Sequence, residues 1–305
     1  MNLPYLKFDA WKETRITIHL LLQIIGKIRL KATPRKNHWW YITQYVSTQG
    51  FATPPIPLPD GINSFEIILN VHQQAVQIQT SLGEVVEFPL KNGYTVSEFY
   101  KDIMETLTGW GLQPKFIEQP LDMGIDTPFA EITEYHHYDW EAIQTFWQMM
   151  LWNDRVFKEF SGRFYGKTCP VHIYWHHLDL AVTRFSGKMA PPMDPKARLL
   201  EKDSYSHEVI SFGFWAGDDN MPEPAYYAYA APSPANLNQE PLLPEQAFWI
   251  DANGSPMAML KYSDIVASDN PDETLLSFLE SAYQGAAKLA NWDIEALTVP
   301  ALDTM

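Results

Sequence analysis

Apolar positions recur with two periods along this chain, and the alternation between them marks out its elements. From Thr14 to Ala32, Ile18, Leu21, Leu22 and Ile25 keep helical spacing, whereas Gly26 to Lys31 alternates as a half-buried strand would. We read a buried helix that ends before Pro34. Trp39 to Val46 is aromatic and β-branched and predicts a strand. Ala52 to Asp60 (ATPPIPLPD) predicts an extended linker, since each proline excludes a helix and removes a sheet donor. Phe65 to Leu90 holds three short β-prone runs with Gly83 in the second turn, the pattern of an antiparallel meander. Thr95-Val96-Ser97-Glu98 is a capping box, and Val96, Phe99, Tyr100, Ile103, Met104 and Leu107 stripe a helix that stops at Gly109. A connector carrying Pro114, Pro120 and Pro128 follows.

The second half repeats the alternation. Ile143, Phe146, Trp147, Met150, Phe157 and Phe160 give Asp139 to Phe160 a long buried helical face, ended by Ser161-Gly162. Asp154 falls on that face and needs a partner, with Arg163 and Lys167 as candidates. Two Gly-centred turns, Phe160-Ser161-Gly162-Arg163 and Phe185-Ser186-Gly187-Lys188, then bracket a β-rich run, Val171 to Phe185. His207 to Trp215, Ala225 to Ala231, and an Asn253-Gly254 hairpin between Ala247–Asp251 and Met257–Tyr262 are strand-like. Asn270-Pro271 caps a terminal helix carrying Leu275, Leu279, Ala282, Ala286 and Leu289. Strands in two groups, each followed by a helix, predict an α+β fold: antiparallel β-sheets with a few long amphipathic helices. We place an N-terminal α+β lobe at 1–130 and a C-terminal one at 131–305, with a single unit over 11–297 as the alternative.

Composition narrows the function classes. At 305 residues and 46% apolar the chain can bury a large core. A net charge of −15 disfavours binding to nucleic acid or an anionic membrane, which rests on Lys and Arg. The charge is uneven. Residues 1–36 hold eight basic side chains against Asp9 and Glu13, leaving +6 there and −21 elsewhere. We read that segment as a docking surface for the acidic remainder, with an anion-binding patch as the sharper alternative. The longest apolar run, Ile16 to Ile25, is too short to span a bilayer. A lone Cys169 excludes an internal disulfide, and no leader pattern precedes the first helix, so we expect a soluble, cytoplasmic protein.

No stretch encodes a specific chemistry. Gly162 to Thr168 resembles a phosphate loop, but three residues rather than four separate its glycines, and a helix precedes it. On a strand, His172 and His176 stand roughly 13 Å apart at ~3.3 Å per residue, too far for one ion. We therefore assign no metal, and the sequence names no cofactor. His177 and Asp179 share the other face at workable range. Cys169 lacks an oxyanion motif and is not read as a nucleophile. His19 and Gln23, one turn apart, are buried polar candidates, and Asn37 and His38 are candidate site lining. The site we favour gathers Arg163, His172, Arg184, His207 and Glu208, with neighbouring tyrosines, as a cleft for a small anionic molecule. In that reading the β-run places His172 and Arg184 on one face. Whether such a cleft would be an enzyme's or a binder's stays open. The alternative is a non-catalytic interaction protein that presents an aromatic surface to a protein partner.

Five stretches carry a resemblance: NHWW (37–40), KEFSGRFYGKTCPVH (158–172), LDLAVTRFSGK (178–188), YSHEVISFGFWAG (205–217) and PAYYAYAAP (224–232). In combination they resemble an uncharacterised, mainly bacterial domain-of-unknown-function family, number 5996, over Trp11 to Leu297. The resemblance implies one family unit of about this length and no activity. The chain departs from the family pattern at His176-His177, where small residues are expected, and at Cys169, where serine is expected.

Overall fold

In the computed structural model, which describes residues 2–300, a short 3-10 turn over Phe8–Trp11 feeds helix α1 (Lys12–Ala32). Residues 20–29 of α1 are all buried, so the helix is a central strut rather than a surface element. Three polar side chains inside it reach distant backbone. Gln23 bonds Leu121 through both its amide atoms, Lys27 donates to the carbonyls of Ile117 and Gln119, and Arg29 Nε donates to Tyr41 O at 2.7 Å. Each bond pins an otherwise irregular segment against the strut.

The first sheet holds β1 (Tyr45–Ser47), β2 (Gly50–Ala52), β3 (Ile56–Pro57), β4 (Ser64–Asn70), β5 (Ala75–Thr80) and β6 (Val85–Pro89). Its order is β1-β2-β4-β5-β6, with β3 also on β4, and every pair is antiparallel. The proline-rich linker thus contributes one short strand. Helix α2 (Val96–Gly109) starts at the Thr95/Glu98 capping box, and α3 (Trp140–Gly162) is capped by Asp139. Asp154 pairs with Lys158 one turn on, at 2.5 Å, rather than with Arg163 or Lys167.

The second sheet runs β11-β12-β10-β9-β8-β7, all antiparallel, from β7 (His172–Tyr174), β8 (Asp179–Met189), β9 (His207–Trp215), β10 (Ala225–Ala231), β11 (Phe248–Ala252) and β12 (Ser255–Lys261). Helices α4 (Leu199–Ser204), α5 (Tyr262–Val266), α6 (Pro271–Leu289) and α7 (Ile294–Leu297) complete the described residues. The fold is α+β with antiparallel sheets. Gln44 and Ile173 exchange both backbone bonds, at 3.0 and 2.7 Å, and so stitch the first half of the chain to β7. One continuous set of buried side chains, from Trp11 to Trp292, runs through both halves. None of the described helices is long and apolar enough to cross a membrane.

Three local expectations are corrected. Trp39 to Val46 is not a strand: Asn37–Trp39 forms a 3-10 turn with His38 and Trp39 in the left-handed region (φ 56° and 60°), and pairing begins near Gln44. Val171 to Phe185 is a hairpin, broken over 175–178, because Trp175 docks its indole where a side chain at Gly26 would stand. His19 Nε2 bonds the carbonyls of Trp175 and His176 and fixes that break. Lastly, Ser186 to Lys188 is no free turn but an irregularity within β8.

Candidate functional site

Strand register decides which side chains of the second sheet meet. His172 pairs with Ala181, Thr183 with Ser211, Ser211 with Tyr229 and Gly213 with Tyr227. Alternation therefore puts His172, Tyr174, Asp179, Thr183, Phe185, His207, Ser211, Tyr227 and Tyr229 on one face. Leu180, Val182, Arg184, Ile210, Phe212 and Tyr226 occupy the other, against α3 and α6.

That register corrects the expectation that His172 and Arg184 share a face, since Arg184 lies an odd number of residues from the partner of His172. Arg184, 1% exposed, lies under α3: it donates to Phe160 O at 2.6 Å, meets Glu280 at 3.4 Å and covers the Phe160 ring at 3.5 Å. Arg163 is exposed at the end of α3, bonded to Glu159 at 2.7 Å and 4.0 Å from the same Glu280. The two arginines meet, but at a carboxylate that already answers them. Glu208 sits on the helix side, accepts a bond from Ser186 Oγ at 2.8 Å, and lines a cavity of about 250 Å³ with Ala231, Pro232 and Trp292. His172 is wholly buried, with neither ring nitrogen hydrogen-bonded. Burial pulls its pKa down from 6.5 to about 3. His177 stands 3.5 Å from Asp122 instead of engaging Asp179, whose carboxylate accepts the Tyr227 hydroxyl at 2.5 Å.

Of the five predicted residues, His207 alone opens onto a cluster of chemistry-bearing groups. Its ring stands edge-on to His38, with centroids 5.4 Å apart, and its Nδ1 meets Ser206 Oγ at 3.1 Å. His38 Nδ1 lies 3.3 Å from Ser204 O and Nε2 lies 3.0 Å from Lys167 Nζ. A carbonyl can only accept and an ammonium can only donate, so Nδ1 carries the proton and Nε2 presents its lone pair to Lys167. Lys167 Nζ also covers the Phe185 ring at 4.6 Å and the Trp40 ring at 5.2 Å, and Lys36 Nζ lies 5.5 Å from the same Trp40 ring. Among the described residues neither lysine has a carboxylate within ion-pair distance. Burial, and then the charge of Lys36, lower the Lys167 pKa; burial, and then Lys167, lower that of His38.

The left-handed backbone at His38 and Trp39 aims both rings, at a cost of roughly 1–2 kcal/mol per residue. Arg35 holds this loop to Asp203 at 2.6 Å, and Trp39 Nε1 bonds Leu200 O, so the α4 segment forms the opposite rim. From the cluster an aromatic shelf runs along the sheet. Tyr174 donates to His38 O, Tyr205 and Tyr229 share a hydroxyl contact at 3.2 Å, and Tyr229 stacks on Tyr227. Tyr227 lies flat because Gly213 beneath it has no Cβ. Burial raises the phenols of Tyr174, Tyr227 and Tyr229 well above their ordinary range, so they act here as neutral hydroxyls. No group of three metal-ligating side chains occurs among the described residues.

Sequence reasoning placed His38 and His207 in this neighbourhood but missed Lys36, Lys167 and Trp40. The usable signal lay in the family-like stretches themselves: NHWW supplies His38 and Trp40, GRFYGKT supplies Lys167, TRFSGK supplies Phe185, and YSH supplies Tyr205 to His207. Motifs far apart in the chain converge on one face.

No curated protein and no solved structure matches the chain. A family model, described as a family of unknown function (DUF5996), matches residues 3–299. With nearly its whole length inside that match, the chain belongs to the DUF5996 family of unknown function.

Proposed function

We propose that the chain binds a small anionic molecule between Lys36, Lys167, His38 and His207, with Trp40 and the tyrosine shelf as its walls. One observation carries the reading. In a chain of net charge −15, two ammonium groups share the Trp40 ring with no carboxylate among the described residues to answer them. Cations are brought together against their mutual repulsion only when something stabilises the arrangement, and an anion does so by charge-assisted hydrogen bonds. The reading retains His207 from the predicted set and takes its cations from lysine instead of Arg163 and Arg184.

The aromatic disposition favours a small ligand over a protein-docking surface. No tryptophan among the described residues is exposed, and of the tyrosines only Tyr5 and Tyr165 are. A cytoplasmic setting fits the single, buried Cys169.

The test is thermal unfolding with inorganic phosphate as a charge-only probe, for the wild type and for the double variant Lys36→Met/Lys167→Met. At tenfold over its Kd a ligand adds about 1.4 kcal/mol, enough to raise the melting temperature by a few degrees. We expect the wild type to respond and the variant not to. Without phosphate the variant should be as stable as the wild type or slightly more so, because repulsion is relieved. Equal phosphate shifts in the two proteins would overturn the reading.

A further inference from the structure

The geometry points to Lys167 as a nucleophilic amine that condenses with the carbonyl carbon of a small oxo acid, with His38 Nε2 moving the proton and Lys36 holding the acid's carboxylate. The inference rests on the anion-binding reading above and adds a covalent step to it. Three features single out Lys167 from the other lysines. It is exposed, so a ligand can reach it. It has no carboxylate among the described residues to hold its proton, whereas Lys12, Lys158, Lys261 and Lys288 all have one. It also lies 3.0 Å from an imidazole lone pair whose other nitrogen is tied to Ser204 O.

Exposure gives access, and the other two features make the free amine easier to form. An ammonium beside another cation and against apolar rings is less well stabilised than one in water, which is how lysines become nucleophiles near neutral pH. The neighbouring cation is Lys36, across Trp40, and the rings are Trp40 and Phe185. His38 faces Lys167 on one side and His207 on another, and the nearest carboxylate acting on it is Asp203, already bonded to Arg35. Lys27 offers a contrast. Its pKa is also lowered, to about 8, but it is buried and its protons are committed to the carbonyls of Ile117 and Gln119.

The step balances without an outside reagent. The Lys167 ammonium passes a proton to His38 Nε2, and the amine lone pair forms the C–N bond as the carbonyl π pair moves onto oxygen. His38 returns its proton to that oxygen to give a carbinolamine. His38 then takes a second proton from the carbinolamine nitrogen and passes it to that oxygen, and the lone pair so freed on nitrogen expels the oxygen as water. The net change is ammonium plus carbonyl to protonated imine plus water.

The experiment incubates the full chain with pyruvate and sodium cyanoborohydride, then maps the reduced adduct by peptide mass spectrometry. We expect Lys167 to be labelled before any other lysine. Lys167→Arg, which keeps the charge, should lose that adduct, and His38→Asn should slow its formation. Inorganic phosphate, which carries charge but no carbonyl, should protect Lys167 by competing for the site. A protein stabilised by phosphate but labelled no faster at Lys167 than elsewhere would overturn the covalent step and leave the anion site standing. A protein neither stabilised nor selectively labelled would overturn both.

Discussion

Replacing His172 by Phe should stabilise the protein, and increasingly so as the pH falls. The ring is fully buried, and neither nitrogen has a hydrogen-bond partner. Its walls are Tyr45 and Tyr174, with the Arg29 cation nearby. At neutral pH a phenyl ring of similar shape removes an unsatisfied polar group, worth about 1–3 kcal/mol. The pH dependence follows from linkage. Burial first, then Arg29, hold the native pKa at about 3 against an unfolded value of 6.5, so the unfolded chain binds the extra proton between those values. The stability His172 confers by staying neutral is complete above pH 6.5 and drains away as the pH falls toward 3. At about pH 5 the loss is about 2 kcal/mol, from ~1.4 kcal/mol per pH unit.

His19 and His176, both held near a pKa of 4 mainly by burial, lose stability over the same range in both proteins, so the variant-minus-wild-type difference isolates His172. The assay is urea unfolding of wild type and His172→Phe at about pH 7.5 and about pH 5, read as midpoints at constant slope. We expect a stabilised variant whose advantage widens by about 2 kcal/mol at the lower pH. An advantage that stays constant, or a variant less stable than wild type at both, would refute the reasoning.

Two other substitutions separate structural roles from the proposed site. Arg184→Met should cost about 3 kcal/mol by removing the guanidinium from Phe160 O, which keeps only Arg163 N, and from Glu280, which keeps only the longer Arg163 contact, while the response to phosphate stays intact. Wild-type stability, or a lost phosphate response, would show that Arg184 has been misplaced. Gly213→Ala should cost about 1–3 kcal/mol, because its methyl meets the Tyr227 ring. The same change in a Tyr227→Ala background should be nearly silent.

What could be read from the sequence divides along physical lines. Helices α2, α3 and α6 were legible because a period and an N-terminal cap coincide in each, Thr95 with Glu98, Asp139, and Asn270 with Pro271, while α1, which has no side-chain cap, was read from its period and the Pro34 stop. The meander of β4 to β6 and the Asn253-Gly254 hairpin were legible from alternation and turn residues. The break at 175–178 was not, since Gly26, His19 and Gln23 impose it from about 150 residues away. That break sets the register that carries His172 and Arg184 to opposite faces. For the site, His38 and His207 could be singled out as histidines near turns. Lys167 could not, because its distinction lies in meeting a residue 129 positions earlier, in a loop whose left-handed backbone looks aromatic and strand-like in the sequence.

The central claim is that an unanswered pair of cations, aimed by the His38 loop, holds an anion. Isothermal titration of inorganic phosphate into the wild type and into Lys36→Met/Lys167→Met tests it most directly. We expect saturable binding of one phosphate to the wild type, weakened by added salt, and no measurable heat of binding in the variant. Equal binding by both proteins, or none by either, would contradict it.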